Sequence, residues 1–251
     1  MTTISLITGG SRGLGRNTAL SIARAGGDVV LTYRSGAEEA QAVVAQIQAL
    51  GRKAVALQLE TGEAASFPRF ADMLRIALLQ TWGRDRFDHL VNNAGHGEYA
   101  LVSDMTEAQF DGLANVHFKG VFFLTQALLP LIADGGRIVN LSSGLTRVSF
   151  PGYAAYAAVK GAVEVLSVYL AKELGARGIA VNTVAPGAIE TDFGGGAVRD
   201  NPEVNKLFAE MTALGRAGVP DDIGPMIASL LSPANRWINA QRIEVSGGQG
   251  I

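Results

Sequence analysis

An alternation constrains this chain more than any other feature. Short runs rich in β-branched residues, Ile4–Thr8, Val29–Tyr33, Ala54–Leu59, Leu90–Asn92, Arg137–Leu141, Ala180–Val184 and Arg242–Val245, read as strands. Between them lie Leu14–Ala25, Ala37–Leu50, Phe67–Trp82, Thr106–Leu131, Tyr153–Ala176 and Asp221–Leu231, whose apolar residues recur at helical three-to-four spacing. Strands that alternate with helices run parallel, and both faces of a parallel sheet must be covered. The expectation is a doubly wound α/β fold with a seven-stranded parallel sheet, in one domain spanning residues 1–251. No composition break or repeat divides the chain, and 48% hydrophobic residues suit a large core. Thr81–Asp88 and Thr191–Thr212 stand outside the alternation and read as a loop and a flexible excursion.

The first strand runs into Thr8-Gly9-Gly10-Ser11-Arg12-Gly13-Leu14-Gly15, which opens the first helix. Glycines there let the backbone approach a pyrophosphate, while the helix N-terminus offers free N–H groups and a favourable dipole. This makes the expected sheet a Rossmann-type dinucleotide fold, with Gly9, Ser11, Arg12, Gly13, Leu14 and Gly15 at the phosphates. The second strand ends in Tyr33-Arg34-Ser35, where a carboxylate would reject a 2′-phosphate. Two guanidinium groups, Arg12 and Arg34, and the Ser35 hydroxyl suit a phosphate dianion instead. The expected cofactor is NADP(H) rather than NAD(H).

Tyr156 and Lys160 lie four residues apart in a predicted helix and so share one face. A cation beside the phenol is expected to lower its pKa from a reference near ~10 towards neutrality, fitting Tyr156 for proton exchange with a carbonyl/alcohol pair. Ser143, thirteen residues upstream, could hold the substrate oxygen.

With these features in order, the chain resembles the short-chain dehydrogenase/reductase family over essentially its whole length, from Thr8 to Gly248. The family's TGxxxGxG pattern matches Thr8-Gly9…Gly13-Leu14-Gly15, and its NNAG turn matches Asn92-Asn93-Ala94-Gly95. Its catalytic asparagine, serine, tyrosine and lysine match Asn115, Ser143, Tyr156 and Lys160. Its PG turn is Pro186-Gly187, followed by Ile189 and by Thr191, which matches a contact to the nicotinamide carboxamide. The resemblance implies cofactor contacts from Asn93, Ala94, Gly95, Pro186, Gly187, Ile189 and Thr191, and from Tyr156 and Lys160. It also implies that Asn115 holds a water linking Lys160 to solvent, and that the chain forms a homo-oligomer, a tetramer or dimer. Those assemblies form through Thr106–Leu131, Tyr153–Ala176 and the last strand.

Departures are equally specific. Glu60 stands where relatives carry an aspartate near the adenine, and Asn239-Ala240-Gln241 replaces Thr-Gly-Gln before the last strand. Ala133-Asp134-Gly135-Gly136 replaces the basic cluster of relatives that act on acyl-carrier-protein thioesters. His96 is a candidate for the substrate pocket and His117 for packing. Residues 191–212 read as a substrate lid, with Phe193, Phe208 and Met211 as its apolar surface.

The expected activity is reversible NADPH-dependent reduction of a small-molecule ketone or keto ester to a secondary alcohol. An NAD-dependent alcohol or sugar dehydrogenase and a silent dinucleotide-binding regulator are the alternatives. A net charge of −2 gives no electrostatic case for nucleic acid or an anionic membrane. The longest apolar stretch, Gly120 to Ala133, contains Gln126 and Pro130 and falls short of the ~20 residues that span a bilayer. No metal site is apparent. The absence of cysteine fits a reducing compartment, and a cytoplasmic location is expected.

Overall fold

The computed structural model describes residues 2–251. Seven strands, β1 (Ile4–Ile7), β2 (Asp28–Tyr33), β3 (Ala54–Gln58), β4 (Phe87–Asn92), β5 (Ile132–Leu141), β6 (Ala180–Pro186) and β7 (Arg242–Val245), form one sheet in the order β3-β2-β1-β4-β5-β6-β7. Every pairing is parallel. The longer helices are α1 (Gly13–Arg24), α2 (Ala37–Ala49), α3 (Phe67–Trp82), α4 (Glu107–Ala114), α5 (Gly120–Leu128) and α6 (Ala154–Glu173). α7 (Ala197–Asp200), α8 (Pro202–Glu210) and α9 (Pro220–Leu230) follow.

Side-chain alternation along each strand sends successive residues to opposite faces. Ile7, Val29 and Leu31 pack beneath α1, α2 and α9, among Ala19, Ile47, Ile223 and Ile227. Leu6, Val30 and Leu90 pack on the other face with Phe70, Leu74, Leu124 and Leu128 of α3 and α5. α1 and α9 approach so closely that a Cβ at Gly224 would fall 1.9 Å from the Asn17 side-chain oxygen.

Strand order reverses between β1 and β4, and in open α/β sheets the crevice beyond the strand ends at such a point receives the ligand. The chain closes that end tightly. Thr8 Oγ1 accepts hydrogen bonds from the backbone N–H of Asn93 (3.0 Å) and Ala94 (2.9 Å), and Asn93 Nδ2 donates to the Thr8 carbonyl at 2.9 Å.

Two expectations need correction. The helix expected over Thr106–Leu131 is interrupted, because Asn115–Lys119 form a π turn between α4 and α5. The excursion at 191–212 is largely helical, with a short 3-10 turn at Phe193–Gly196 followed by α7 and α8. Asn201 caps α8 by accepting from the N–H of Glu203 (3.0 Å) and Val204 (3.3 Å), and Pro202 supplies a first-turn residue with no N–H to satisfy.

Candidate active site

α6 presents Tyr156 and Lys160 on one buried face, pointing towards the ends of β5 and β6. Lys160 Nζ donates to the Leu141 carbonyl at 2.8 Å, and sits 5.7 Å from the centre of the Tyr156 ring. Ser143 follows β5 in extended conformation, and its Oγ accepts from the Leu145 N–H at 3.2 Å. Asn115 opens the π turn, where its carbonyl accepts from the Gly120 N–H five residues on. π turns of this kind are enriched at functional sites because they shift one residue of a helix out of its usual phase.

The expected lowering of the Tyr156 pKa is not what the protein's own groups produce. Burial pushes the phenol up, and hydrogen bonding with the Ser143 hydroxyl works the other way without reversing it. Burial likewise pushes Lys160 down to about 7. Both shifts have one cause, since an apolar surround disfavours whichever form carries charge. Burial thus works against the charge on Lys160, which makes it a weaker partner for a phenolate than the spacing alone suggested.

The surroundings of Tyr156 are aromatic. His117, fully buried, meets its ring edge-on at 5.2 Å, and the Phe193 ring lies 5.6 Å from it. His117 Nε2 stands 2.8 Å from the His96 carbonyl, and burial holds the imidazole neutral, well below its ordinary pKa. His117 therefore packs, as expected, but against the tyrosine itself. His96 is half-buried beside it, with ring centres 5.3 Å apart. Two further aromatic pairs are Tyr99 against Tyr153 (5.5 Å) and Phe150 against Phe208 (5.7 Å).

At the other end of the crevice the glycine turn is shaped by close approach. A Cβ at Gly15 would fall 2.2 Å from the Gly9 carbonyl oxygen, and one at Gly9 would meet Ala94 Cα at 3.0 Å. Gly13 has φ +53 and faces Thr191, which is buried. Among the described residues no side chain caps the start of α1, and its first turn holds no acidic residue. Those free N–H groups, with Ser11, Arg12 and Leu14 beside them, form the cradle that a pyrophosphate requires, so the residues present fit a dinucleotide. Tyr33 packs on the core, whereas Arg34 is exposed, with Nε 3.7 Å from Glu60. Glu60 also accepts from the Gly62 N–H at 3.1 Å, and Ser35 is exposed next to Arg34.

The remaining expected residues converge from β6. Gly187 donates to the Val245 carbonyl at 3.1 Å just after Pro186, and Ile189 pairs with Gly218 while packing on the core. Gly95 lies under the His117 ring, where a Cβ would come within 2.4 Å. One residue escaped the sequence reading. Glu164 lies one turn beyond Lys160 on the same face of α6 and accepts from Ser142 Oγ at 2.6 Å. The four-residue spacing that linked Tyr156 to Lys160 reaches it when applied once more.

A doubly wound sheet with a glycine cradle at its switch point, and Ser, Tyr and Lys at the adjoining strand end, defines a dinucleotide-linked oxidoreductase. A family model described as enoyl-(acyl carrier protein) reductase matches residues 9–249. The chain is 38% identical to an uncharacterized oxidoreductase of Methylorubrum extorquens, over 98% of this chain and 96% of that one. Among solved structures, LugOII, a promiscuous reductase that catalyses keto-reduction at C1 in lugdunomycin biosynthesis, superposes with a TM-score of 0.94. It is 38% identical, covering 99% of this chain and 98% of that one. The angucycline C-6 ketoreductase LanV, with bound NADP, superposes with a TM-score of 0.93 at 36% identity, covering 98% and 95%. The chain belongs to the short-chain dehydrogenase/reductase family.

Proposed function

We propose that this protein is an NADP(H)-dependent ketoreductase in which Tyr156 is the general acid/base. The observation that carries the reading is the placement of the Tyr156 hydroxyl beside Ser143, with Lys160 one helical turn on, inside an aromatic cleft that adjoins the glycine cradle. Arg34, Arg12 and Ser35 take the 2′-phosphate, and the α1 N-terminus takes the pyrophosphate. Asn93, Ala94, Gly95, Pro186, Gly187, Ile189 and Thr191 line the path between the cradle and Tyr156.

The hydride chemistry at the carbonyl carbon, in either direction, would come from NADP(H) held on the glycine cradle. As the carbonyl oxygen gains charge, Tyr156 gives it the phenolic proton and Ser143 donates a hydrogen bond to it. Burial keeps the Tyr156 phenol protonated, so it enters the reduction carrying the proton that it donates. Lys160, anchored on the Leu141 carbonyl, would hold the nicotinamide ribose and return a proton to Tyr156. Asn115 would hold a water that leads from Lys160 to solvent. Phe193 and the rest of 191–212 act as a lid over this centre.

The rings of Tyr99, Phe150, Tyr153, Phe193 and Phe208 favour a ketone on a flat cyclic framework over an acyclic keto ester. The relatives LugOII and LanV, named for ketone reduction, support the same reading. NADPH oxidation against cyclic and acyclic ketones, with NADH as control, tests it. Tyr156→Phe should lower kcat by about 10²- to 10⁴-fold while NADPH binding persists. Near-normal turnover in that variant would overturn the assignment.

We further propose a cytoplasmic homo-oligomer. Phe118, Phe122 and Phe123 in and beside α5, and Val165, Val168 and Tyr169 on α6, are exposed although the rest of both helices packs on the sheet. Unpartnered apolar surface of this extent marks an interaction face. Val168→Glu should shift the sedimentation of the protein towards a single chain; a monomeric parent protein would remove the proposal.

A further inference from the structure

The face of α6 that carries Tyr156 and Lys160 continues to Glu164, eight residues from the tyrosine. A single carboxylate oxygen there, Oε1, accepts from Ser142 Oγ (2.6 Å) and Arg242 Nε (2.8 Å) and lies 2.8 Å from Thr146 Oγ1. Both charged side chains are mostly enclosed, Arg242 at 27% and Glu164 at 20% exposure, so solvent screens the pair only partly. Arg242 spans the same turn. Its Nη2 donates to Thr146 Oγ1 at 2.9 Å and to the Ser143 carbonyl at 3.4 Å, and its Nη1 donates to Glu244 at 3.1 Å. Thr146 Oγ1 stands 3.0 Å from that same Ser143 carbonyl.

The Ser143 carbonyl therefore accepts from Arg242 Nη2 and from the Thr146 backbone N–H (3.2 Å), while the single Thr146 hydroxyl proton goes either to that carbonyl or to Glu164. The Ser143 backbone is extended, φ −158 and ψ 149, which sets the Cα–Cβ direction, and the bonds to its carbonyl help to hold that conformation, while the Leu145 N–H holds the Oγ at 3.2 Å. The ties run to Glu164, which stands on the same rigid helix as Tyr156. Bonds between charged partners are stronger and better aligned than neutral ones, which suits a strut.

We infer that Glu164, acting with Arg242 and Thr146, is a positioning residue that sets the Ser143 hydroxyl against the Tyr156 hydroxyl. It touches neither substrate nor cofactor. The inference rests on the proposed role of Ser143 in holding the substrate oxygen. A misplacement of about 1 Å at a reacting centre can cost on the order of 10²-fold in rate. Loss of the charge at Glu164, with its shape retained, should thus lower turnover without weakening cofactor binding.

The test is a double-mutant cycle on steady-state ketone reduction, with Glu164→Gln made in the parent protein and in the Ser143→Ala variant. In the parent, Glu164→Gln should lower kcat roughly 10-fold and leave KM for NADPH within about 2-fold. In the Ser143→Ala background the same change should cost less than about 2-fold, because the group it positions is gone. Equal losses in both backgrounds, or no loss in the parent, would overturn the inference while leaving the role of Ser143 intact. Ser143→Ala with parental kcat would remove the role of Ser143, and the inference with it. Thr146→Val, close in shape, repeats the cycle at the other end of the strut and serves if Glu164→Gln does not fold by circular dichroism.

Discussion

At the residue scale, burial rather than neighbouring charge governs the central pair. The helical spacing of Tyr156 and Lys160 was legible in the sequence, because it depends only on the geometry of a helix. The direction of their titration was not, because it depends on how completely the neighbouring elements enclose them, and enclosure is tertiary. Cofactor choice also belongs at this scale. Arg34 is exposed and able to reach a phosphate, and among the described residues Glu60, at 3.7 Å, is the one carboxylate paired with it. Arg34→Asp should raise KM for NADPH by about 10- to 100-fold through loss of a charge-assisted bond, and leave KM for NADH nearly unchanged. Steady-state kinetics with both cofactors measures this. Comparable losses for the two nucleotides would place the 2′-phosphate elsewhere.

At the scale of elements, the strands and most helices follow the sequence pattern closely, since β-branched runs and three-to-four periodicity are local properties. Two features hid from that reading. The π turn at Asn115–Lys119 leaves the apolar pattern of Thr106–Leu131 intact and changes only the phase, so no periodicity reveals it. α7 and α8 are short, and they hold together through Asn205, which donates to Glu190 at 2.7 Å and to the Val198 carbonyl at 2.9 Å. The substitution before the last strand does leave a trace. Ala240 adopts φ 57, a left-handed conformation that suits glycine, and its N–H still donates to the Val181 carbonyl at 2.9 Å. The turn thus keeps the geometry for which relatives use glycine and carries the strain of a Cβ. Ala240→Gly should stabilise the protein by about 1 kcal/mol. That corresponds to a thermal midpoint higher by about 2–4 °C in differential scanning calorimetry, and a lower midpoint would show the strain to be absent.

At the scale of the whole molecule, buried histidines tie stability to pH. His89 sits in β4 against Ser5, with 3.1 Å between its Nδ1 and the serine oxygen, and burial lowers its pKa to about 4. The unfolded chain takes up a proton near pH 6.5 that the folded chain refuses until about pH 4. Stability from this group is therefore present above pH 6.5 and is lost as pH falls through that window, by about 3 kcal/mol at full extent. His117 acts in the same direction. Glu244 is held down to about 2 by Arg147, so its loss comes only in stronger acid. Thermal midpoints taken from pH 7 to pH 4 should fall, and His89→Asn should flatten part of the slope. An unchanged slope in that variant would assign the acid sensitivity to other groups. None of this was visible in the sequence, where His89 is one polar residue in a strand whose depth in the sheet is not encoded locally.

The run Gly194-Gly195-Gly196, between Phe193 and α7, has three successive positive φ values, 60, 72 and 79. A Cβ at Gly194 or Gly195 would meet no atom within 4 Å, so what these two positions demand is handedness rather than room. Here the backbone follows the mirror image of the conformation that L-residues prefer, and only an achiral residue follows it without strain. An enantiomeric building block inverts that preference. D-alanine introduced by chemical ligation at Gly194 or Gly195 would sit at ease where its L-form would strain, which makes this segment a natural place for a mirror-image graft.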